Sequence, residues 1–210
     1  MRVSGWKAWS ITAGAIAGIA VFLSASAAPP RPQALQAATQ EIVLALDQSQ
    51  SKVHYAVDST LHTVHGTFNF KSGVVRIDPA TGKAGGEIIV YATSGDSENS
   101  SRDEKMHKVV LESQKYSEIV FKPTLVDGKL AVSGPSDVKL HGIFSLHGSD
   151  HELVVPVHAE ISGDHWQGST KFQVPYIQWG LKDPSNFLLK VKPNVDIDLE
   201  LAGSLKNSRP

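Results

Sequence analysis

The sequence predicts an all-β, antiparallel domain with one short helical insert, folded either as a sandwich or as a closed barrel of about eight strands. The first observation is that apolar residues recur at every second position in successive runs. The second is that turn-forming clusters separate these runs, for example Asp127-Gly128 and Ser162-Gly163-Asp164. The third is the segment Ser101 to Gln114, which has acidic residues near its start and apolar residues at three-to-four spacing. That spacing predicts a short amphipathic helix among the strands.

Strict alternation places one face of each strand on a core and the other in water. The first run extends from Val64 to Phe70, and a turn is predicted at Lys71-Ser72-Gly73 before Val75 and Ile77 continue the pattern. The apolar members of the later runs are, in order, Ile88, Val90, Ala92; Ile119, Phe121, Leu125; Val138, Leu140, Phe144, Leu146; Leu153, Val155, Val157, Ile161; Trp166, Thr170, Phe172, Val174; and Val195, Ile197, Leu199, Leu201. The interior of a barrel of about eight strands is either filled by side chains or just wide enough for one small ligand. The alternation alone does not decide between a filled interior and one that holds a ligand.

Composition excludes several classes of function. The 20 basic and 21 acidic residues are spread through the chain and give a net charge of -1, which argues against a nucleic-acid partner. The chain contains no cysteine, so disulfides, a thiol nucleophile and a thiolate metal site are excluded. A chain of 210 residues is long enough to bury a core without such cross-links.

The N-terminal segment predicts export. Arg2 and Lys7 precede an uncharged run from Ile11 to Leu23, and Ala25-Ser26-Ala27 then supplies the small residues of a signal-peptidase site. An uncleaved membrane anchor is the alternative, but the run is shorter than the roughly 20 residues that a spanning helix needs. We therefore predict a signal peptide over 1–27, a flexible leader over 28–40, a β-barrel domain over 41–205 and a tail over 206–210. The expected location is the periplasm or the extracellular space.

Six short motifs occur in order along about 150 residues and carry a resemblance to a known family. They are Ser51 to Val57, Gly66-Thr67-Phe68, Gly73 to Pro79, Arg102-Asp103 with Met106, Gln114 to Phe121, and Phe144 to Gly148 with Pro156-Val157. Together they resemble the YceI-like family. Ser117 and Ser149 depart from the family pattern, which usually has proline and an apolar residue at these positions.

The resemblance implies an exported, extended, lipocalin-like barrel whose apolar tunnel takes polyisoprenoid-type chains, such as a quinone tail or a polyprenyl lipid. It supplies no catalytic residues. We therefore expect a lipid-binding protein that is not an enzyme and requires no cofactor, with an isoprenoid lipid or quinone as its bound ligand. A membrane is the expected place of ligand exchange, and the oligomeric state stays open, with a homodimer as one candidate.

The inward face of the strands and one loop supply the predicted ligand-binding residues. They are His62, Val64, Phe68, Phe70, Ile88, Val90, Phe121, Leu140, Phe144, Phe172, Val174 and Trp179. His62 shares the inward parity of Val64 and is expected near one end of the barrel. Trp179 lies in the long loop that follows Val174, and this loop either carries specificity at the barrel mouth or caps the barrel end.

Two other functions remain open. His147-Gly-Ser-Asp-His151 occupies a hairpin-like turn in which two imidazoles can meet on a metal, so a metal-binding envelope stress protein is the second hypothesis. Histidines that simply face solvent are the plainer interpretation of the same motif. A lipid-modifying enzyme on the same barrel is the third hypothesis, but the chain contains no G-x-S-x-G, H-E-x-x-H or dinucleotide motif. His62 is the main inward polar residue, which argues against catalysis.

Export with cleavage near Ala27 is directly testable. We expect protein from the native host to begin close to Ala28, because the apolar run is short and a small-residue triplet follows it. N-terminal sequencing measures this. An intact Met1 in a membrane fraction would contradict it.

Overall fold

The computed structural model describes residues 41–207, so the predicted signal peptide, the predicted leader and the last three residues of the predicted tail lie outside the described residues. The described strands are β1 Ile42–Leu46, β2 Lys52–Asp58, β3 Thr63–Phe68, β4 Phe70–Ile77, β5 Ala84–Tyr91, β6 Glu118–Asp127, β7 Gly134–Leu146, β8 Ser149–Ser162, β9 His165–Val174 and β10 Val195–Asn207. Helix α1 Ser100–Lys105 follows a 3₁₀ turn at Ala92–Ser94 and continues into a π-helical turn at Met106–Val110. Among these residues no helix is long and apolar enough to cross a bilayer.

The strands close into a barrel because β10 pairs with two strands on one side. It runs antiparallel to β9 along its length, while its first half pairs with β2 and its second half with β1. In the same way β3 pairs with β2, and β4 pairs with β1. Strands β1 and β2 thus share one position around the barrel, and β3 and β4 share the next. The result is a closed antiparallel barrel of eight positions, which confirms the predicted fold class and excludes a sandwich.

Two bulges change which residues face the interior. The turn predicted at Lys71-Ser72-Gly73 is wrong, because β4 continues through it with a register shift between Phe70 and Ser72. One extra residue in a strand reverses which of the alternating side chains face inward, while the strand remains part of the sheet. A second shift between Pro123 and Leu125 turns Leu125 outward, where it is 39% exposed, and buries Val126 instead.

The helical insert is shorter than the predicted segment. Asn99 caps α1 by accepting a hydrogen bond from the Arg102 amide, and the helix widens into the π turn after Lys105. His107 then ties the insert to the loop before it, since its Nε2 lies 2.8 Å from the Gly95 carbonyl and its Nδ1 lies 3.0 Å from the buried Ser113 hydroxyl. Backbone hydrogen bonds between Thr67 and Asp96 fasten this loop to β3.

One end of the barrel is occupied by a buried apolar cluster, and we call it the closed end. Its buried cluster comprises Ile42, Leu44, Val75, Ile77, Val126, Val138, Ile161 and Trp166. The Trp166 indole nitrogen donates to the Ala45 carbonyl at 3.2 Å, so the largest side chain of the cluster also bonds to the closing strand β1. The insert and the β9–β10 loop lie at the other end, which we call the open end.

Barrel closure makes a specific demand on Gly203 of β10. A Cβ atom there would lie 1.9 Å from the Ala45 carbonyl oxygen and 2.8 Å from the Trp166 indole nitrogen. We expect Gly203→Ala to lower the free energy of unfolding by about 1–3 kcal/mol or more, because β1 must move away from β10. Denaturant unfolding measures this. The matched control is Gly168→Ala in β9, where the nearest atom to a new Cβ is 3.4 Å away. Equal stability of the two variants would contradict the closure argument.

Candidate functional site

An apolar cavity occupies the middle of the barrel. It has a volume of about 160 Å³, and side chains from both sides of the barrel line it. Eight of the predicted ligand-binding residues are in its wall, namely Phe68, Phe70, Ile88, Val90, Phe121, Leu140, Phe144 and Phe172. The wall presents no polar atom to this inner cavity. Thr170 is part of the wall, but its hydroxyl oxygen is buried and has no hydrogen-bond partner.

A second cavity of about 300 Å³ lies toward the open end. Strands β2 and β3, the helical insert and the β9–β10 loop enclose this outer cavity. His62, Val64 and Val174 line it, as the alternation predicted for the inward face. Its wall is apolar near the barrel, and the polar side chains of Ser59, His62, Arg102 and Lys105 also border it. We call these four residues the rim.

The two cavities adjoin at four shared side chains, which are Phe68, Ile119, Phe144 and Ile197. The Phe144 ring is held from the side by Phe172, with ring centroids 6.4 Å apart, and by Trp179 at 5.6 Å. One layer of side chains therefore separates the inner cavity from the outer cavity. This layer, which we call the junction, decides how far an apolar chain can extend into the barrel.

The comparison with protein families settles the family of this barrel. Residues 44–202 match the family described as the YceI-like domain. The chain belongs to the YceI-like family. The matched range contains strands β2 to β9 and the junction residues, together with most of β1 and β10.

Solved structures of low sequence identity share the fold of this YceI-like domain. BcnA of Burkholderia cenocepacia is 17% identical with a TM-score of 0.65, over 76% of this chain and 99% of that chain. A polyisoprenoid binding domain from Saccharophagus degradans, implicated in plant cell wall breakdown, is 15% identical with a TM-score of 0.58, over 78% of this chain and 98% of that chain. The YceI protein of Campylobacter jejuni is 18% identical with a TM-score of 0.50, over 68% and 85%. No curated protein sequence matches the chain.

The cations of the rim are held by hydrogen bonds. Arg102 donates from Nε to the hydroxyl of the buried Ser97 at 2.7 Å, and Asp103 accepts from the Ser97 amide at 3.0 Å. Lys105 donates from Nζ to the Pro184 carbonyl at 2.6 Å, which joins the insert to the β9–β10 loop. Both positive charges are thus fixed beside an apolar cavity. Sequence reasoning missed these two residues, because they belong to a helix with no alternation to mark an inward face.

Trp179 lies outside both cavities. Its ring stacks on the His151 imidazole, with centroids 4.1 Å apart and planes 3° apart, and it contacts Phe144 from behind. This placement favours the capping interpretation of the loop. A ligand contact for Trp179, as for the eleven predicted residues in the cavity walls, stays a prediction.

The two histidines of the predicted metal motif bond to different partners. His147 has a left-handed φ of 53° in the two-residue turn with Gly148, packs on the Tyr116 ring and lies 2.6 Å from Glu112 through Nε2. The His151 ring is stacked on Trp179 instead, with Nε2 buried and unpaired. Within residues 41–207 no three His, Cys, Asp or Glu side chains are grouped to hold a metal ion. A metal at His147 and His151 therefore stays a prediction that lacks a third protein ligand.

The β9–β10 loop, residues 175–194, is folded against the open end. Tyr176 and Leu181 are buried, and the Tyr176 hydroxyl donates to the Lys192 carbonyl at 2.9 Å. Burial, with a smaller contribution from Asp183, raises the pKa of Tyr176 to about 12. Leu189 and Val191 of this loop also line the outer cavity, and no periodicity in the sequence marks them.

The raised pKa of Tyr176 predicts a loss of stability at alkaline pH. The folded protein favours the neutral phenol, so this stabilisation is complete below the unfolded pKa of 10.0 and is lost as the pH rises toward about 12. Between pH 8 and pH 11 the parent should lose about 1 kcal/mol more unfolding free energy than Tyr176→Phe. At pH 8 the variant should be less stable by about 1 kcal/mol, because the bond to Lys192 is lost.

Denaturant unfolding at the two pH values measures both effects. Tyr91→Phe is the control, because this residue is 40% exposed on β5. The unfolding free energy of this variant should fall with pH as that of the parent does. If the unfolding free energies of the parent and of Tyr176→Phe fall by the same amount between the two pH values, the buried phenol does not contribute to the pH dependence.

Proposed function

We propose that this chain is an exported lipid-binding protein that holds a long isoprenoid chain, a polyisoprenoid or a quinone-like molecule, inside its barrel. The observation that carries the proposal is the pairing of a carbon-lined inner cavity with an outer cavity that has a basic rim. Such a site matches a molecule with a long apolar tail and a polar head. The description of the Saccharophagus degradans domain as polyisoprenoid binding supports the same ligand class.

The affinity comes from the tail. Each CH₂ group that leaves water contributes about 0.8 kcal/mol, so several prenyl units bind tightly with few polar contacts. Phe68, Phe121, Phe144 and Phe172 are only partly buried and gain contacts when a chain enters the barrel. Together the two cavities fall within the roughly 300–1,000 Å³ of ordinary ligand sites.

The head belongs at the rim. Arg102 and Lys105 supply positive charge for a phosphate, and the exposed His62 supplies a hydrogen bond for a phosphate or a quinone carbonyl. The tail then extends through the junction into the inner cavity, which has no polar group to receive a head. The lipid is the occupant of the site, and the proposal involves no cofactor.

The alternatives have less support. A catalytic role needs polar groups that converge on a reacting atom, and the inner wall presents carbon alone. A metal-binding role depends on His147 and His151, which are directed to Glu112 and Trp179 respectively. We propose that the protein acts in the periplasm or outside the cell and exchanges its ligand at a membrane.

Closing the junction tests the function. The parent should bind both short and long isoprenoids, and Phe144→Trp should weaken the binding of long chains by about tenfold or more, because their last units lose burial in the inner cavity. The binding of short chains that fit in the outer cavity should be weakened less. Fluorescence titration with isoprenoid quinones and prenyl phosphates of graded length measures this.

Lys171→Ala is the matched control, because Lys171 faces outward on β9 and pairs with Asp198 at the surface. The larger ring at position 144 overpacks the barrel by a typical cost of about 1–3 kcal/mol, so unfolding must be measured alongside binding. A parent that binds no isoprenoid would overturn the function. A folded Phe144→Trp variant that binds long and short chains as the parent does would overturn the tunnel.

A further inference from the structure

Three large apolar side chains are exposed beside the outer cavity. Leu61 is 75% exposed, Phe187 is 94% exposed and Leu188 is 82% exposed. Among residues 41–207 one other large apolar side chain is as exposed, namely Val132 in the β6–β7 loop at the closed end. Single exposed apolar residues are ordinary, but a group of them beside a cavity marks an interaction surface.

These side chains lie on two short turns, Ser59 to His62 and Asn186 to Leu189, which we call the mouth turns. Ser59 and His62 of the first turn, and Leu189 of the second, line the outer cavity. Leu61, Phe187 and Leu188 do not line it, so they point away from the ligand space. The exposed surface therefore borders the cavity without being part of it.

Each mouth turn pairs several of its backbone amides within the turn. In the first, the Ser59 hydroxyl oxygen accepts from the amides of Leu61 and His62 at 3.4 and 3.3 Å. In the second, the Asn186 side-chain oxygen accepts from the amides of Leu188 and Leu189 at 2.9 and 2.7 Å. The Asn186 amide also donates to the Leu189 carbonyl at 2.9 Å. Amides that already have hydrogen-bond partners cost less free energy when the turn leaves water for an apolar environment.

The mouth turns form one surface because the backbone joins them. The Thr60 amide donates to the Lys190 carbonyl at 2.9 Å, and the Lys190 amide donates to the Thr60 hydroxyl at 3.3 Å. A bridge between Ser59 and Val191 extends this pairing. The three apolar side chains are thus presented from a single ordered unit.

Positive charge surrounds this unit. Residues 182–192 contain Lys182, Lys190 and Lys192 against the single carboxylate Asp183, a net charge of +2 in a chain whose total is -1. Hydrogen bonds from Ser185 chiefly, with Lys190 and Lys105 nearby, lower the pKa of Asp183. Lys192 is paired with Asp58, whereas Lys182 and Lys190 are exposed. Apolar tips with flanking lysines complement the interface of an anionic bilayer.

We propose that the mouth turns dock on the surface of an anionic phospholipid bilayer, with Leu61, Phe187 and Leu188 inserted at the acyl-chain boundary. Docking places the outer cavity against the bilayer, so an apolar chain passes between membrane and barrel without crossing water. The purpose of this contact rests on the proposed function, but the contact itself does not require a bound isoprenoid.

Vesicle flotation tests the docking. The protein purified from the cells that produce it should float with vesicles of phosphatidylglycerol and phosphatidylethanolamine. It should float much less with phosphatidylcholine vesicles. Phe187→Ser combined with Leu188→Ser should lower the affinity for anionic vesicles by about tenfold or more. Lys182→Gln combined with Lys190→Gln should lower it too, and added salt should reduce the difference between the two vesicle types.

Val132→Ser is the matched control, because it removes an equally exposed apolar side chain at the closed end. The N-terminal apolar run is common to all these proteins, so differences between them report on the mouth turns. Isoprenoid binding in vesicle-free solution should match the parent in the Phe187→Ser, Leu188→Ser protein. A parent protein that binds no isoprenoid would overturn the proposed function and would not affect the docking result.

Two outcomes would overturn the docking. The first is vesicle affinity that is unchanged by the Phe187 and Leu188 substitutions. The second is a loss of self-association in that variant, measured by analytical ultracentrifugation, with vesicle binding intact. That second result would assign the surface to contact between two copies of the chain.

Discussion

The structure depends on the ability of β10 to close the barrel against β9 on one side and against both β1 and β2 on the other. Where β1 ends and β2 begins, Ala202 bridges the gap: its carbonyl accepts from the Asp47 amide at 2.8 Å, and its amide donates to the Ser51 hydroxyl at 3.1 Å. The absence of a side chain at Gly203 lets the Ala45 carbonyl pass close beside it. Closure pairs the strand edges and surrounds the inward side chains, so the cavities depend on it.

The interior of the barrel is filled unevenly from one end to the other. At the closed end, Trp166 and aliphatic side chains form a buried cluster, and several of them also border the inner cavity. In the middle, five phenylalanines converge without filling the space between them, and the barrel keeps an apolar cavity. An unfilled apolar cavity costs stability, since its lining lacks partner atoms. A ligand that fills the void restores those contacts, which couples the stability of the barrel to its occupancy.

The open end is organised by polar contacts. Arg102 and Asp103 meet at the buried Ser97, and Lys105 bonds to the loop carbonyl of Pro184. These bonds place positive charge at the edge of a carbon-lined space, where we propose that the head group of the ligand lies. The mouth turns continue the same arrangement outward, with apolar tips and flanking lysines, so the cavity and its surroundings match the two halves of an amphipathic lipid.

The alternation of the sequence by itself determined strands β3 to β10, the inward phenylalanines Phe68, Phe121, Phe144 and Phe172, and hence an apolar interior, because the side-chain period of a strand is a local property. It did not indicate β1 or β2, which precede the first alternating run. Only the tertiary structure decided that eight strand positions close, since closure depends on the register between β10 and β1, which are distant in sequence. The bulges at Phe70 and Pro123 likewise depend on the neighbouring strand. The open volume, the rim of Arg102 and Lys105, and the separation of His147 from His151 depend on packing between distant segments. Periodicity carries no information about how much space those segments leave between them.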